Sequence, residues 1–240
     1  MAFFYSPNVV TDGLVFTVDA ANKKSYPGSG TTWKDLSGNG NDGTLVNGPT
    51  FDSGNGGSIV FDGSDDLVEF GNTGIEIKCM NCWFYLNSGV TSATSRFGLL
   101  TFDTTGVSSD PQGGCTFGSA TTYATDETFT MLDGTAAGNY GRTYIKDNIP
   151  AGWNNIVMNW NGSTYDIWLN GSSKTTYTGT NNNTAVSLIT SNDLALGGSF
   201  WKSGDTLFNG RWALFSIYTK TLTSTEITQN YNALKGRFGL

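Results

Sequence analysis

Two asparagine–glycine pairs, each at the end of a short apolar run, place the strongest constraint on how this chain can fold. The runs 156–160 and 164–169 lead into Asn161-Gly162 and Asn170-Gly171. Asn-Gly readily adopts the positive φ angles that tight hairpin turns require. The segment therefore predicts three consecutive antiparallel strands.

Alternating side chains indicate which face of these strands is buried. Ile156, Met158 and Trp160 lie two residues apart, so they share one face of a strand and we expect them in the core. Similar runs recur between turn residues at 14–18, 58–61, 67–70, 75–85, 97–102, 128–132 and 212–218. This rhythm predicts an all-β sandwich that forms a single domain over 1–240.

Turn-forming residues predict the connections between the strands. Residues 103–126 and 178–192 are rich in Gly, Ser, Thr and Asn, and we expect two long surface loops there. Asp133-Gly134 is expected to close the strand at 128–132 as a turn.

One helix is predicted near the end of the chain. Thr223 and Glu226 have the spacing of a capping box, in which each side chain satisfies a backbone N–H group of the first turn. The apolar residues at helical spacing are Ile227, Tyr231 and Leu234. Gly236 is the expected end of the helix.

Composition argues against several functions. A formal net charge of −7, without a basic stripe, argues against nucleic acid as a partner. No apolar run approaches the length of a membrane span, which argues against membrane insertion. The first residues lack the basic and apolar regions of a signal peptide, so we expect synthesis in a host cytoplasm without that export route.

Cys79 and Cys82 form a CxxC pair, a pattern that often indicates a metal or redox site. Residues three apart in a strand point to opposite faces, so the two sulfur atoms should diverge. The chain has three cysteines and no histidine, which leaves a zinc site short of ligands. We therefore expect buried free thiols.

A series of short motifs, in order along nearly the whole chain, resembles the laminin-G-like branch of the concanavalin A-like lectin/glucanase superfamily. The segments are 13–16, 33–45, 57–66, 152–157, 166–171, 194–198 and 208–212, followed by the helix. The resemblance implies a jelly roll of two antiparallel sheets that works by binding, since such modules commonly recognise glycans or proteins and some bind calcium. The closing segment 231–238 is similar to modules of tailed-phage structural proteins.

Carboxylates in one short segment are the candidate metal ligands. Calcium requires several oxygen ligands, and Asp62, Asp65 and Asp66 can supply them from a single loop. Asp35 and Asp42 are further acidic candidates. The alternative is that each of these residues caps a turn, a position where aspartate is common.

Aromatic residues in polar segments are the candidate glycan contacts, because sugar rings stack on aromatic faces. Trp201 is the first candidate, and Tyr123 and Tyr140 lie in similar polar surroundings. The alternative is that Trp201 packs its loop onto the sandwich. Trp83 and Trp212 lie within strand patterns and are expected in the core.

The sequence argues against catalysis. Glucanases of this superfamily use carboxylates spaced as ExDxE on one strand, and no such motif occurs here. Without histidine, a Ser-His-Asp triad is impossible. We therefore expect a protein that is not an enzyme.

These observations lead first to a virion-surface structural or adhesion protein of a tailed phage, either a capsid decoration or a head or tail fibre component. The expected partners are virion proteins, host-surface glycans or both, and assembly with further copies of the chain is left open. The alternatives are a carbohydrate-binding module of a bacterial protein and a divergent glycan hydrolase.

Overall fold

The computed structural model describes residues 7–95, 97–103, 113–118, 126–136, 139–179, 188–189, 193–198 and 207–240. Strands dominate this part of the chain. In chain order the first ten are β1 (Leu14–Asp19), β2 (Thr32–Trp33), β3 (Gly43–Val46), β4 (Thr50–Asp52), β5 (Ser58–Asp62), β6 (Leu67–Asn72), β7 (Glu76–Ile77), β8 (Cys79–Leu86), β9 (Phe97–Asp103) and β10 (Gly113–Phe117). The following strands are β11 (Phe129–Ala136), β12 (Asn139–Ile145), β13 (Gly152–Trp160), β14 (Tyr165–Leu169), β15 (Ser172–Ser173), β16 (Tyr177–Thr178), β17 (Leu188–Ile189), β18 (Asp193–Leu196) and β19 (Asn209–Tyr218).

Two antiparallel sheets contain most of these strands. Over the described ranges, the first sheet has the order β15-β14-β13-β8-β19-β5-β4, and β1 pairs with the second half of β19. The second sheet has the order β16-β12-β11-β10-β9-β18-β6-β3-β2, and β7 pairs separately with β17. The predicted all-β sandwich with one C-terminal helix is confirmed.

Side chains from both sheets fill one apolar interior. Ile156, Met158 and Trp160 belong to it, as predicted. Phe84 on β8 meets Phe117 on β10 of the opposite sheet, with ring centroids 5.2 Å apart. The two sheets are therefore held together by the alternate residues that the sequence pattern placed inside.

The two Asn-Gly pairs form different turns. Leu169 pairs directly with Ser172, so Asn170 and Gly171 make a two-residue turn, with φ angles of 50° and 77°. Trp160 pairs with Tyr165, so the first pair begins a four-residue loop instead. The predicted three-stranded meander of β13, β14 and β15 is confirmed.

The structure corrects the predictions of one strand, two loops and one turn. Residues 178–192 are not one loop, because β17 lies within them and pairs with β7. The segment 75–85 is divided at Lys78 into β7 and β8. Residues 103–126 are not one loop, because β10 lies within them, buried between β9 and β11. Asp133 and Gly134 do not form a turn, because both remain paired across to β12, opposite Gly141 and Tyr140.

The outer face of the first sheet is covered by the C-terminal helix, α1 (Ser224–Leu234), and a 3₁₀ turn (Lys235–Phe238). Trp83 is buried here rather than between the sheets, and it stacks on Phe238 at 4.5 Å and on Tyr231 at 5.7 Å. Asn159 on β13 exchanges two hydrogen bonds of 2.9 Å with the backbone of Leu222, which fixes the entry of the helix.

The helix begins as predicted, and α1 ends at Leu234, two residues before Gly236, but Gly236 does not terminate the helical chain. Thr223 is the N-cap, and Thr223 and Glu226 form the capping box. The chain continues past Gly236 in the 3₁₀ turn, and the left-handed residue that ends it is Gly239, with φ of 74°. Over the described ranges, the structure contains no helix long and apolar enough to cross a membrane.

The cysteines are free and buried, as predicted. Cys79 lies on the helix side of the first sheet and Cys82 lies in the interior, so their sulfur atoms diverge. Burial raises the pKa of Cys82 and of Cys115 well above the ordinary thiol value. The thiols therefore stay protonated and serve as apolar packing groups.

Phe84→Ala should destabilise the sandwich by about 3–5 kcal/mol, because it removes a fully buried ring that joins the two sheets. Urea unfolding followed by tryptophan fluorescence measures the change. Val9→Ala is the control, since Val9 is exposed and should change stability by less than about 0.5 kcal/mol. Equal stability of both variants would contradict this packing.

The free energy of unfolding should depend on pH through the carboxylate of Glu226. Hydrogen bonds from Lys220 and Thr223 lower its pKa to about 2 in the folded protein. The pKa in the unfolded chain is about 4.3, so this stabilisation is complete above that pH and is lost as the pH falls towards 2. Glu226→Gln should flatten the decline of the free energy of unfolding over this range, and an unchanged slope would contradict the assignment.

Candidate functional site

Three carboxylates converge on the turn that joins β5 to β6. Asp62 is the last residue of β5, and Asp65 and Asp66 come just before β6 begins. One oxygen atom from each carboxylate lies within 4.8 Å of the other two. We call Asp62, Asp65 and Asp66 the acidic turn.

The acidic turn is shaped by hydrogen bonds to its own backbone. Asp62 Oδ1 accepts from the Ser64 N–H at 2.7 Å, and Asp66 Oδ2 accepts from the Asp62 N–H at 2.9 Å. The carbonyl of Asp65 accepts from the side chain of Asn47 at 2.8 Å. Because these bonds fix the loop, the carboxylates are held together despite their like charges.

Electrostatics disfavour three ionised groups at this point. Asp66 is only 5% exposed. Burial raises the pKa of its carboxyl, and the nearby Asp62 and Asp65 raise it further, while the backbone hydrogen bond opposes them. A bound cation would relieve both the desolvation and the repulsion.

The residues of the acidic turn fit a calcium ion. Calcium accepts carboxylate oxygens in flexible geometry and completes its shell with water and carbonyl groups. Asp62, Asp65 and Asp66 would be the ligands that hold the ion. The capping role is confirmed for Asp62 and Asp66, and the metal role stays a prediction.

Asp35 and Asp42 act as turn-capping residues, which was the alternative to a metal-binding role. Asp35 accepts from the N–H groups of Thr17 and Ser37, and Asp42 accepts from the N–H of Asp35. These carboxylates organise the loop that follows β2, as turn residues do.

A cleft of ≈ 340 Å³ opens beside the acidic turn, at one end of the sandwich. The strands that bring its walls together are distant in sequence, since Asp62 pairs with Asn209 and Leu86 pairs with Gly210. The residues that give the cleft its character are Gly63, Asn87, Thr94, Phe97, Leu207 and Asn209. We call this the end cleft.

Two amide side chains form the polar wall of the end cleft. Asn87 Nδ2 donates to Asn209 Oδ1 at 2.6 Å, which orients both groups. Gly63 has φ of 82°, and a Cβ atom there would lie 2.8 Å from the Cβ of Asn209. Glycine is therefore needed for the acidic turn to approach β19 this closely.

The end cleft can bind polar groups. Amides donate and accept hydrogen bonds, and Phe97 and Leu207 supply apolar surface. Its volume is near the lower end of the range of about 300–1,000 Å³ for small-molecule sites. None of its lining residues in the described part of the chain carries a carboxylate or an imidazole.

The aromatic candidates cannot be placed in this site. Trp201 and Tyr123 lie outside the described residues, and so does the side chain of Tyr140, whose backbone belongs to β12. Their roles stay predictions. Asn87 and Asn209 carry no signal in the sequence, because only strand pairing brings them together.

The sequence comparison agrees with this architecture. Residues 62–228 match the concanavalin A-like lectin/glucanases superfamily, and this match covers more than half of the chain. The chain therefore belongs to that superfamily. A search of curated proteins found no sequence that matches significantly.

Two solved structures illustrate the shared fold. A Trypanosoma rangeli sialidase, in complex with sialic acid, superimposes with a TM-score of 0.63 at 14% identity over 98% of this chain and 36% of the sialidase. Domain 4 of the Geobacillus stearothermophilus extracellular arabinanase AbnA, in complex with arabinotriose, gives 0.62 at 17% identity over 91% of this chain and 98% of that domain. The chain spans about a third of the sialidase and nearly all of the arabinanase domain.

Calcium should stabilise the protein. At a hundredfold excess over its Kd, the ion should add about 2.7 kcal/mol to the free energy of unfolding. Asp65→Asn should abolish the gain, because it removes one ligand and leaves the backbone bonds of Asp62 and Asp66 in place. Thermal melts with calcium or EDTA measure the effect.

Asp12→Asn is the control for the calcium melts, since Asp12 is an exposed carboxylate elsewhere on the surface. It should keep the full calcium response. If calcium does not raise the melting temperature of the wild type, or raises that of Asp65→Asn by the same amount, the acidic turn binds no calcium.

Proposed function

We propose that this protein is a non-catalytic glycan-binding module and that it works on the surface of a tailed-phage virion, as a capsid decoration or a fibre component. The observation that carries the binding role is the end cleft, where oriented amides and an apolar ring line an open pocket beside the acidic turn.

The chemistry of the end cleft suits a sugar. A sugar presents hydroxyl groups that both donate and accept, and Asn87 and Asn209 offer both kinds of partner. Phe97 supplies an apolar surface against the C–H face of a ring. The arabinotriose complex of the AbnA domain, which has this fold, supports the choice of ligand class.

The placement of the carboxylates favours binding over hydrolysis. Glycosidases flank the scissile bond with two carboxyl groups, one acting as acid and the other as base or nucleophile. The carboxylates of Asp62 and Asp66 instead accept hydrogen bonds from backbone N–H groups of the same turn. A role in holding a cation beside the sugar suits this geometry better than acid–base chemistry.

A virion surface suits a module with a small binding pocket. A particle carries many copies of each surface protein, so weak contacts add up to strong attachment without a larger pocket. The similarity of segment 231–238 to tailed-phage structural modules supports this setting. Virion proteins are then the second class of partner, contacting the protein away from the end cleft.

Asn209→Ala should weaken glycan binding about twofold to tenfold, the effect of losing one hydrogen bond worth about 0.5–1.5 kcal/mol. A glycan array first identifies the oligosaccharides that the wild type binds, and calorimetric titration then compares the variants. Asn8→Ala, an exposed asparagine beside the C-terminal helix, should bind as the wild type does.

Three results separate the proposal from its alternatives. A blank array would contradict glycan binding. Release of reducing sugar from any bound oligosaccharide would identify a divergent hydrolase instead. Absence of the protein from purified virions would remove the phage setting and leave the carbohydrate-binding module of a bacterial protein.

A further inference from the structure

Two tyrosines form an aromatic platform on the outer face of the second sheet. Tyr144 on β12 and Tyr177 on β16 are direct cross-strand partners, and their rings stack with centroids 5.5 Å apart. Tyr177 is 38% exposed, and few large hydrophobic residues in the described part of the chain are as open to solvent. The packing of the core does not require the Tyr177 side chain to be exposed on this edge strand.

A buried carboxylate with an unsatisfied oxygen lies next to the platform. Glu127 is only 2% exposed, and its Oε2 accepts from both Arg142 and the Thr130 hydroxyl. Its Oε1 is buried without a hydrogen-bond partner. Leaving such an atom unpaired costs free energy, so a donor that reaches it would be bound favourably.

The carboxylate and the platform belong to one surface. Arg142 and Tyr144 lie two residues apart on β12 and so share a face, with the Arg142 Cζ 5.6 Å from the Tyr144 ring centroid. Thr130, which binds Glu127, is the cross-strand partner of Tyr144.

The charges of this surface are balanced. Arg142 pairs with Glu127, and Lys146 pairs with Asp126 at 2.5 Å while its Nζ lies 4.4 Å from the Tyr177 ring centroid. Because Arg142 and Lys146 are each already neutralised by a carboxylate, the described residues of this surface leave no surplus positive charge for an anionic ligand. An uncharged ligand with many hydroxyl groups fits it better.

We propose that this surface, formed by Tyr144, Tyr177, Arg142 and Glu127, is a second contact site for neutral oligosaccharides. A sugar ring packs on the exposed part of Tyr177, and, because Glu127 Oε1 is buried, one water molecule relays a hydrogen bond from a sugar hydroxyl to that oxygen. This inference rests on the proposed function and deepens it, because it adds a second site and names neutral glycans as its ligand class.

Paired variants at Tyr177 test the second site. Tyr177→Ala should weaken binding of a neutral oligosaccharide about fivefold to tenfold, since it removes the stacking ring, whereas Tyr177→Phe should stay within about twofold of the wild type. Calorimetric titration gives the affinities for arabinotriose and for neutral oligosaccharides from the array. Each array oligosaccharide is also titrated in its sialylated form. The sialylated ligands should bind no more tightly than the neutral ones.

The outcomes distinguish this inference from the proposed function. Wild-type affinity in Tyr177→Ala, together with weakened binding in Asn209→Ala, would overturn the second site and leave the glycan-binding module intact. Tighter binding of sialylated ligands would overturn the neutral class. A wild-type protein that binds no oligosaccharide would overturn the proposed function itself.

Discussion

The rest of the structure depends on the burial of both faces of the first sheet. Strand β19, which lies between β8 and β5, sends Trp212, Phe215 and Ile217 into the interior between the sheets, while Ala213 and Leu214 face the C-terminal segment. A strand apolar on both faces needs a cover on each side. The second sheet covers one side, and α1 with its 3₁₀ turn packs on the other.

The two proposed contact sites lie at the strand ends and on the second sheet. The end cleft forms where β5, β8 and β19 meet at one edge, and their pairing holds the acidic turn beside it. Sites built on a rigid sheet keep their geometry when a ligand binds, which lowers the entropic cost of association. The glycan-binding role that we propose relies on these prearranged polar groups.

Local patterns in the sequence were sufficient to predict the fold class and the position of the acidic turn. The capping box of Thr223 and the Asn170-Gly171 turn each depend on residues a few positions apart, and the three aspartates lie within five residues. Strand β10 was missed because Gly113 and Gly114 resemble a loop, although the strand is buried in the second sheet. The end cleft could not be predicted, because Asn87 and Asn209 meet only through the pairing of distant strands.

The most direct test of a glycan-binding module with these sites is a map of amide chemical shifts on titration with neutral oligosaccharides. The account predicts perturbations at residues around Gly63, Asn87 and Asn209, with a second group near Tyr144 and Tyr177, and an unchanged oligosaccharide at the end of the titration. Perturbations concentrated on α1 and the outer face of the first sheet, or their absence with every oligosaccharide, would contradict it.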